Sequence, residues 1–320
     1  MKKKAWLIAA SVCVVIGCVV FGGVMMALKG DFSELSTVEY ETNEYEIKES
    51  YRNIEITTDT ADVTFVAAKN SASVVTCYEQ KDEKHSVTVK DDTLVIRLED
   101  ERKWYEHIGI GLGTPKITVT IPEGEYGTLS VNFDTSDVVL PEGFRFEAVH
   151  MLGSTGDVTC SASVREKLQV KTSTGDIRLE NMSAGTVDLG VSTGHIAAIS
   201  VSCAEDIAVK VSTGKTELTD VICKNFTSKG STGDVFLNNT VAGGKFSIER
   251  STGDISFDGC DAAEIFVETS TGHVTGWLLS DKVFRTETDT GKIQVPMTVT
   301  GGLCRIVTDT GDIKIDVRHS

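Results

Sequence analysis

From residue 133 onward a threonine–glycine pair returns every 19 or 20 residues, and this period constrains the fold more than any other feature of the chain. The glycines are Gly156, Gly175, Gly194, Gly214, Gly233, Gly253, Gly272, Gly291 and Gly311. Each follows a threonine, which follows serine or, in the last two copies, aspartate; "VKTSTGDIRLE" at 170–180 shows the pattern. "FDTSDVVL" at 133–140 is a degenerate copy one period ahead of Gly156, and "TTDTADVTF" at 57–65 is a further copy out of register. A fixed period this short marks stacked repeats, because no single unit can bury its own apolar face. A unit of this length is too short for strand, helix and two loops, but it holds two or three short strands with tight turns.

Apolar alternation supports strands. Val158, Ile177, Ile196, Val235, Ile255, Val274, Ile293 and Ile313 stand two residues after a motif glycine. Leu179, Leu218, Leu237, Phe257, Val295 and Ile315 stand two further on, which puts both sets on one face. A second alternating run before each motif points Leu168, Val187, Ile207, Phe246, Ile265 and Phe284 inward. Parallel coils stacked about 4.8 Å apart, roughly ten of them, would make a rod on the order of 50 Å long. The expected fold is all-β: a right-handed parallel β-solenoid of 19–20-residue coils, preceded by one N-terminal transmembrane helix. The glycine is then a corner with positive φ, Ser or Asp two residues earlier bonds backbone across it, and the threonines stack on one another.

The N-terminus is a separate object. "MKKK" precedes 24 uncharged, mostly apolar residues, Ala5–Leu28, long enough to span a bilayer with some tilt. The lysines should stay cytoplasmic and the rest of the chain lie outside, as a single-pass protein of the cell membrane. No A-x-A site follows the apolar run, which speaks against a cleaved signal peptide. "VIGC" ending at Cys18 loosely resembles a lipoprotein box, but ten more largely apolar residues follow, so an uncleaved anchor is expected. Beyond Lys29 the chain carries 27 basic and 47 acidic residues, a formal charge of −20. That sign excludes nucleic acid as a partner and would hold the domain off an anionic membrane surface.

The expected organisation is residues 1–30 as cytoplasmic tip and anchor, 31–50 as a juxtamembrane stalk, 51–132 as an irregular β-rich cap, and 133–320 as regular repeats. The last coil, "TDTGDIKIDVRHS", ends almost without a cap, an edge that a partner or self-association could cover. Outside the anchor stand Cys77, Cys160, Cys203, Cys223, Cys260 and Cys304, without a C-x-x-C pair, so zinc has no support from spacing. Cys203 and Cys223 each lie nine residues after a motif glycine and should sit one above the other, as buried thiols or as a bridged pair.

The residues after the glycines run Asp137, Asp157, Asp176, His195, Lys215, Asp234, Asp254, His273, Lys292 and Asp312, with Asp137 from the degenerate copy. They alternate with inward positions and read as a solvated corner ladder. Asp137, Asp157 and Asp176 are weak metal candidates, since three stacked carboxylates repel by about 1 kcal/mol each and calcium would relieve this. The glycine-dense calcium-roll pattern is absent. No G-x-S-x-G, H-E-x-x-H or P-loop occurs, and "GIGLG" at 109–113 is followed by "TP" instead of a helix. No catalytic or cofactor-binding residue is therefore assigned, no cofactor is implied, and an enzyme is not expected. The segment 99–115 interrupts the strand pattern with Trp104, Tyr105 and His107, a possible ligand loop for sugar, peptide or lipid headgroup, or a lid packed over the cap.

The recurring T-G-[D/H/K] motif with an N-terminal membrane segment resembles the bacterial putative-adhesin β-strand-repeat family, a domain of unknown function, over roughly residues 51–320. The resemblance implies a β-solenoid in the cell envelope and, in some members, a link to envelope-stress operons; it implies no reaction. The expected role is adhesion, scaffolding or an envelope-stress-associated interaction, with an envelope protein or a cell-wall carbohydrate as partner. The alternatives are a carbohydrate-binding module and, less favoured, a polysaccharide-active enzyme.

Overall fold

The computed structural model describes residues 2–27, 38–99 and 113–319. One helix, Lys2–Ala27, precedes a single sheet that winds into stacked coils. A representative coil runs along Asp206–Thr213, turns at Gly214, runs along Thr216–Thr219, turns again at Asp220, and returns through Ile222–Cys223. Its neighbour repeats this in register, with Thr213 opposite Thr232, Thr216 opposite Val235 and Ile222 opposite Val241. Each coil therefore contributes to two long parallel ladders and one short one, with the apolar alternation directed inward.

The glycine is required at the first corner for two reasons. At Gly175 φ is +129°, and a Cβ there would stand 2.1 Å from the carbonyl oxygen of Gly156 below it. L-residues resist such a backbone, and the stacking leaves no room for a side chain. The hydroxyls that bond across this corner belong to residues three before the glycine: Thr172 Oγ1 donates to the Thr174 carbonyl at 3.1 Å, and Thr308 Oγ1 to that of Gly272 at 3.1 Å. Among the described residues the Ser or Asp two before the glycine makes no such bond, which corrects the sequence expectation. The second corner also recurs once per coil, at Asn181, Ser200, Asp220 and Asn239, with φ between 45° and 54°. Short polar side chains tolerate that left-handed conformation.

The inward positions behave as their spacing requires. Val158, Ile177, Ile196, Val235, Ile255, Val274 and Ile313 are no more than 1% exposed. Ile293 departs from this, at 46%, because of how the stack ends. The last strands, Gly302–Thr310 and Ile313–Val317, do not form the end coil. Cys304 pairs with Ile265 on one side and Phe284 on the other, and Ile313 lies between Val274 and Ile293. The final coil is inserted beneath the coil that precedes it in sequence. Insertion gives the chain terminus two hydrogen-bonded neighbours and buries Ile306 and Ile315. Arg318 seals it, its amide bonded to the Leu278 carbonyl at 2.9 Å and its guanidinium 5.0 Å from the Trp277 ring. The open edge passes to residues 282–294, not to the last coil as the sequence suggested.

The other end is threaded in the same way. Ile54 pairs with both Leu94 and Leu129, and Val63 with both Ile117 and Val138, so coil 53–67 lies between two later ones. Antiparallel strands then cover that end: Lys84–Lys90 on Thr93–Glu99, Ser73–Gln80 on Lys116–Ile121, and Tyr40–Ile47 on Ser73–Gln80. Residues 40–47, read from sequence as stalk, are thus a strand of the cap, and Tyr45 and Ile47 pack against the core.

The N-terminal helix, Lys2–Ala27, is largely apolar after its first residues. Among the described residues no helix is long and apolar enough to cross a membrane.

Candidate functional site

One β-bulge shapes the surface near the start of the regular coils. In Ser163–Thr174 the two residues Arg165 and Glu166 stand opposite one residue of each neighbour, Glu147 on one side and Gly185 on the other. A bulge leaves residues outside the ladder and re-aims their side chains. Here Arg165 turns outward and, with Glu147, Arg52 and Arg145, rims an open groove of about 690 Å³.

Three guanidinium groups face two carboxylates in this groove. Glu147 takes Arg52 at 2.8 Å and also bonds Arg165, while Arg145 stands 3.7 Å from Glu125. The arginine side chains are 60%, 72% and 69% exposed for Arg52, Arg145 and Arg165, so these pairs hold the heads in place without removing them from water. The floor is aromatic: the Tyr126 ring lies 5.5 Å from Phe146 and 6.3 Å from Tyr51, near parallel to both. Tyr126 donates to the Pro122 carbonyl at 2.7 Å, and burial, with a smaller contribution from Tyr51, pushes its phenol up to about 12. The site offers exposed, oriented cationic forks above a neutral aromatic floor, on a domain that is otherwise strongly acidic. Such forks match carboxylate or phosphate oxygens, and aromatic faces suit sugar rings.

The stacked aspartates do something the sequence did not show. Asp137, Asp157 and Asp176 are brought into one column, and each Oδ1 accepts from the backbone amide of the next coil. Asp157 N donates to Asp137 Oδ1 at 2.8 Å, Asp176 N to Asp157 at 2.7 Å, and His195 N to Asp176 at 2.7 Å. His195 continues the column through Nδ1, which accepts from Lys215 N at 3.0 Å. Lysine has no acceptor, so the column stops there. It restarts at Asp234, passes through Asp254, His273 and Asp312, and stops at Lys292 on the open edge. The first run follows the sequence order Asp, Asp, Asp, His and ends at lysine; in the second the inserted coil places Asp312 between His273 and Lys292.

Trp104, Tyr105 and His107 lie outside the described residues. All six cysteines beyond the helix are free and buried, including the stacked Cys203 and Cys223. The groove residues escaped the sequence reading because the three arginines lie in three separate coils, the aromatic floor in part in a fourth, and none carries a motif. The only trace was local, in the break of alternation at "VREKL" where the bulge falls.

The fold and this surface define a parallel β-solenoid with an open, charged groove. The chain belongs to the Toastrack DUF4097 family, whose model matches residues 51–205 and again 198–320. Among solved structures it is similar to a putative adhesin from Bacteroides fragilis NCTC 9343, at 14% identity and TM-score 0.44, over 88% of this chain and 97% of that one. A putative lipid binding protein from Parabacteroides distasonis ATCC 8503 matches at 15% identity and TM-score 0.44, over 87% and 97%. A putative adhesin from Parabacteroides merdae ATCC 43184 matches at 9% identity and TM-score 0.47, over 87% and 96%. No curated protein matches the chain.

Proposed function

We propose that the protein is a membrane-anchored, extracytoplasmic interaction module that uses the arginine-rimmed groove to hold an anionic polymer of the cell envelope. In this reading residues 5–28 span the membrane, the three N-terminal lysines stay inside, and the solenoid, right-handed by the crossover rule, stands outside. The observation that carries the proposal is the meeting of Arg52, Arg145 and Arg165 over Tyr126, on a domain of charge −20. Local positive charge on an acidic surface selects anionic groups, and the net charge keeps the domain from binding polyanions everywhere else. The open edge at residues 282–294 is a second surface, suited to a further copy or an envelope partner.

The test uses the full-length chain in detergent, with polygalacturonate as an anionic polysaccharide and dextran as a neutral one. Polygalacturonate should bind and dextran should not. The triple variant Arg52→Ala, Arg145→Ala, Arg165→Ala should lose at least tenfold in affinity, about 1.4 kcal/mol. Equal binding of both polysaccharides, or an unaffected triple variant, would overturn the reading.

A further inference from the structure

Away from the groove, inside the N-terminal cap, three side chains with metal-ligating chemistry meet. Cys77, Glu79 and His85 are 0%, 1% and 3% exposed. Their sulfur, carboxylate and imidazole atoms all lie within 4.8 Å of one another. Cys77 and Glu79 share the inward face of Ser73–Gln80 with Val75, and His85 sits on the next strand, Lys84–Lys90. The Thr58 hydroxyl, at the end of Asn53–Thr58, stands 3.2 Å from His85 Nε2. A small space of about 10 Å³ is lined in part by Thr58, Glu79 and His85, close to the room one water needs.

Hydrogen bonding accounts for part of this cluster. Glu79 Oε2 accepts from His85 Nδ1 at 2.7 Å and from the His85 amide at 2.7 Å, and Oε1 accepts from Asn43 at 2.7 Å. It does not account for a thiol placed against a buried carboxylate. Cys160, Cys203 and Cys260 donate to backbone carbonyls, as buried thiols do. Cys77 instead has its sulfur within 4.8 Å of the Glu79 carboxylate and the His85 imidazole. A hydroxyl–imidazole–carboxylate relay from Thr58 is no better an explanation, because Thr58 is 2% exposed and a space this small admits no substrate.

We propose that Cys77, Glu79 and His85 bind one divalent transition metal ion, Zn²⁺ foremost, with His85 ligating through Nδ1, a single water in the fourth position, and the Thr58 hydroxyl holding the ring at Nε2. Thiolate, carboxylate and neutral imidazole are the ligand types zinc takes, and with a dipositive ion the buried site becomes neutral. Ligand atoms at 2.0–2.3 Å from tetrahedral zinc lie roughly 3.3–3.8 Å apart. The separations here run from 2.7 Å to at most 4.8 Å, so each must shift by about an ångström or less. On binding, the thiol proton leaves to solvent and the metal takes the place of the His85–Glu79 hydrogen bond. The ion would join the two cap strands at the inserted coil that ends in Thr58.

The full-length chain in detergent, titrated with Co²⁺, provides the test. One equivalent should give visible bands of tetrahedral intensity and a near-ultraviolet thiolate-to-cobalt band, both displaced by Zn²⁺. Cys77→Ser should abolish the thiolate band, and Cys304→Ser, altering an equally buried thiol elsewhere, should keep it. X-ray absorption of the zinc-loaded wild type needs no variant and should show one sulfur at about 2.3 Å. A wild type without a thiolate band, a band that survives Cys77→Ser, or a zinc shell of nitrogen and oxygen alone would each overturn the site. The last result would place the ion on surface carboxylates.

Discussion

At the scale of single residues, the corner is held by two devices of different kinds. The glycine is fixed by geometry, since Gly175 has φ of +129° and a carbonyl 2.1 Å from where its Cβ would be. Gly175→Val should therefore cost more than about 1 kcal/mol in a denaturant melt, at any calcium concentration. The aspartate is fixed by its acceptor oxygen rather than by its charge. Asp176 Oδ1 takes the His195 amide at 2.7 Å, and an asparagine oxygen can do the same. Asp176→Asn should stay within about 0.5 kcal/mol of wild type, while Asp176→Ala should lose about 0.5–1.5 kcal/mol. Equal losses in both would show that charge, not the seam of acceptors, is what the position supplies.

At the scale of a coil, stability comes from what adjacent rungs bury together. Ile255 is fully buried, and Ile255→Ala should cost about 2–5 kcal/mol, read from the shift of the melt. Polar groups inside the stack are subject to stricter conditions. Lys282 is 2% exposed and its Nζ lies 2.6 Å from Asp261 Oδ1, with Ser280 as a further partner. Removing the carboxylate strands a buried cation, so Asp261→Ala should cost about 3–5 kcal/mol. A loss no larger than that of a surface substitution would mean that Lys282 finds water instead. Arg250 shows the opposite case: among the described residues it is buried without a carboxylate, on the hydroxyls of Thr216 and Ser228 at 3.0 and 2.8 Å, with Nε unpaired. Burial pushes its guanidinium down to about 10. Gly230 supplies the space it occupies.

At the scale of the whole molecule, threading and thiol burial each have a measurable consequence. Among the described residues the inserted strand Gly302–Thr310 has a neighbour on both sides, and Lys282–Thr290 has one. Hydrogen exchange should be slower in Cys304–Thr310 than in Phe284–Thr290, although the former lies nearer the chain end. Faster exchange at 304–310 would mean that the coils stack in sequence order. The buried thiols tie stability to pH. Burial raises Cys160, Cys223 and Cys304 from near 9 to about 12, helped at Cys223 by Cys203 and Asp206 and opposed at Cys304 by Lys282. The folded state keeps protons that the unfolded state releases, so stability should be full below pH 9 and fall as pH rises from about 9 to 12. Cys160→Ala should remove its share of that slope in urea melts at pH 8 and pH 10.5.

The sequence by itself determined the coil. A 19–20-residue period, a glycine at each corner and alternation on both sides admit one kind of stack, because corner sterics and the two-residue side-chain period are local properties. Inward positions such as Ile255 and Val274 follow from the same alternation. What the chain does at its ends was decided only in three dimensions. Every coil presents the same edge, so the motif at Gly311 can pair as well below Gly291 as above it, and only the burial of the terminus separates the two. The groove and the Cys77–Glu79–His85 cluster are likewise tertiary: stacking brings arginines from separate coils together, and His85 reaches Glu79 across a turn. The one local sign of the cluster was an acid on the inward face of an alternating strand, where a charge needs a partner that the strand itself cannot supply.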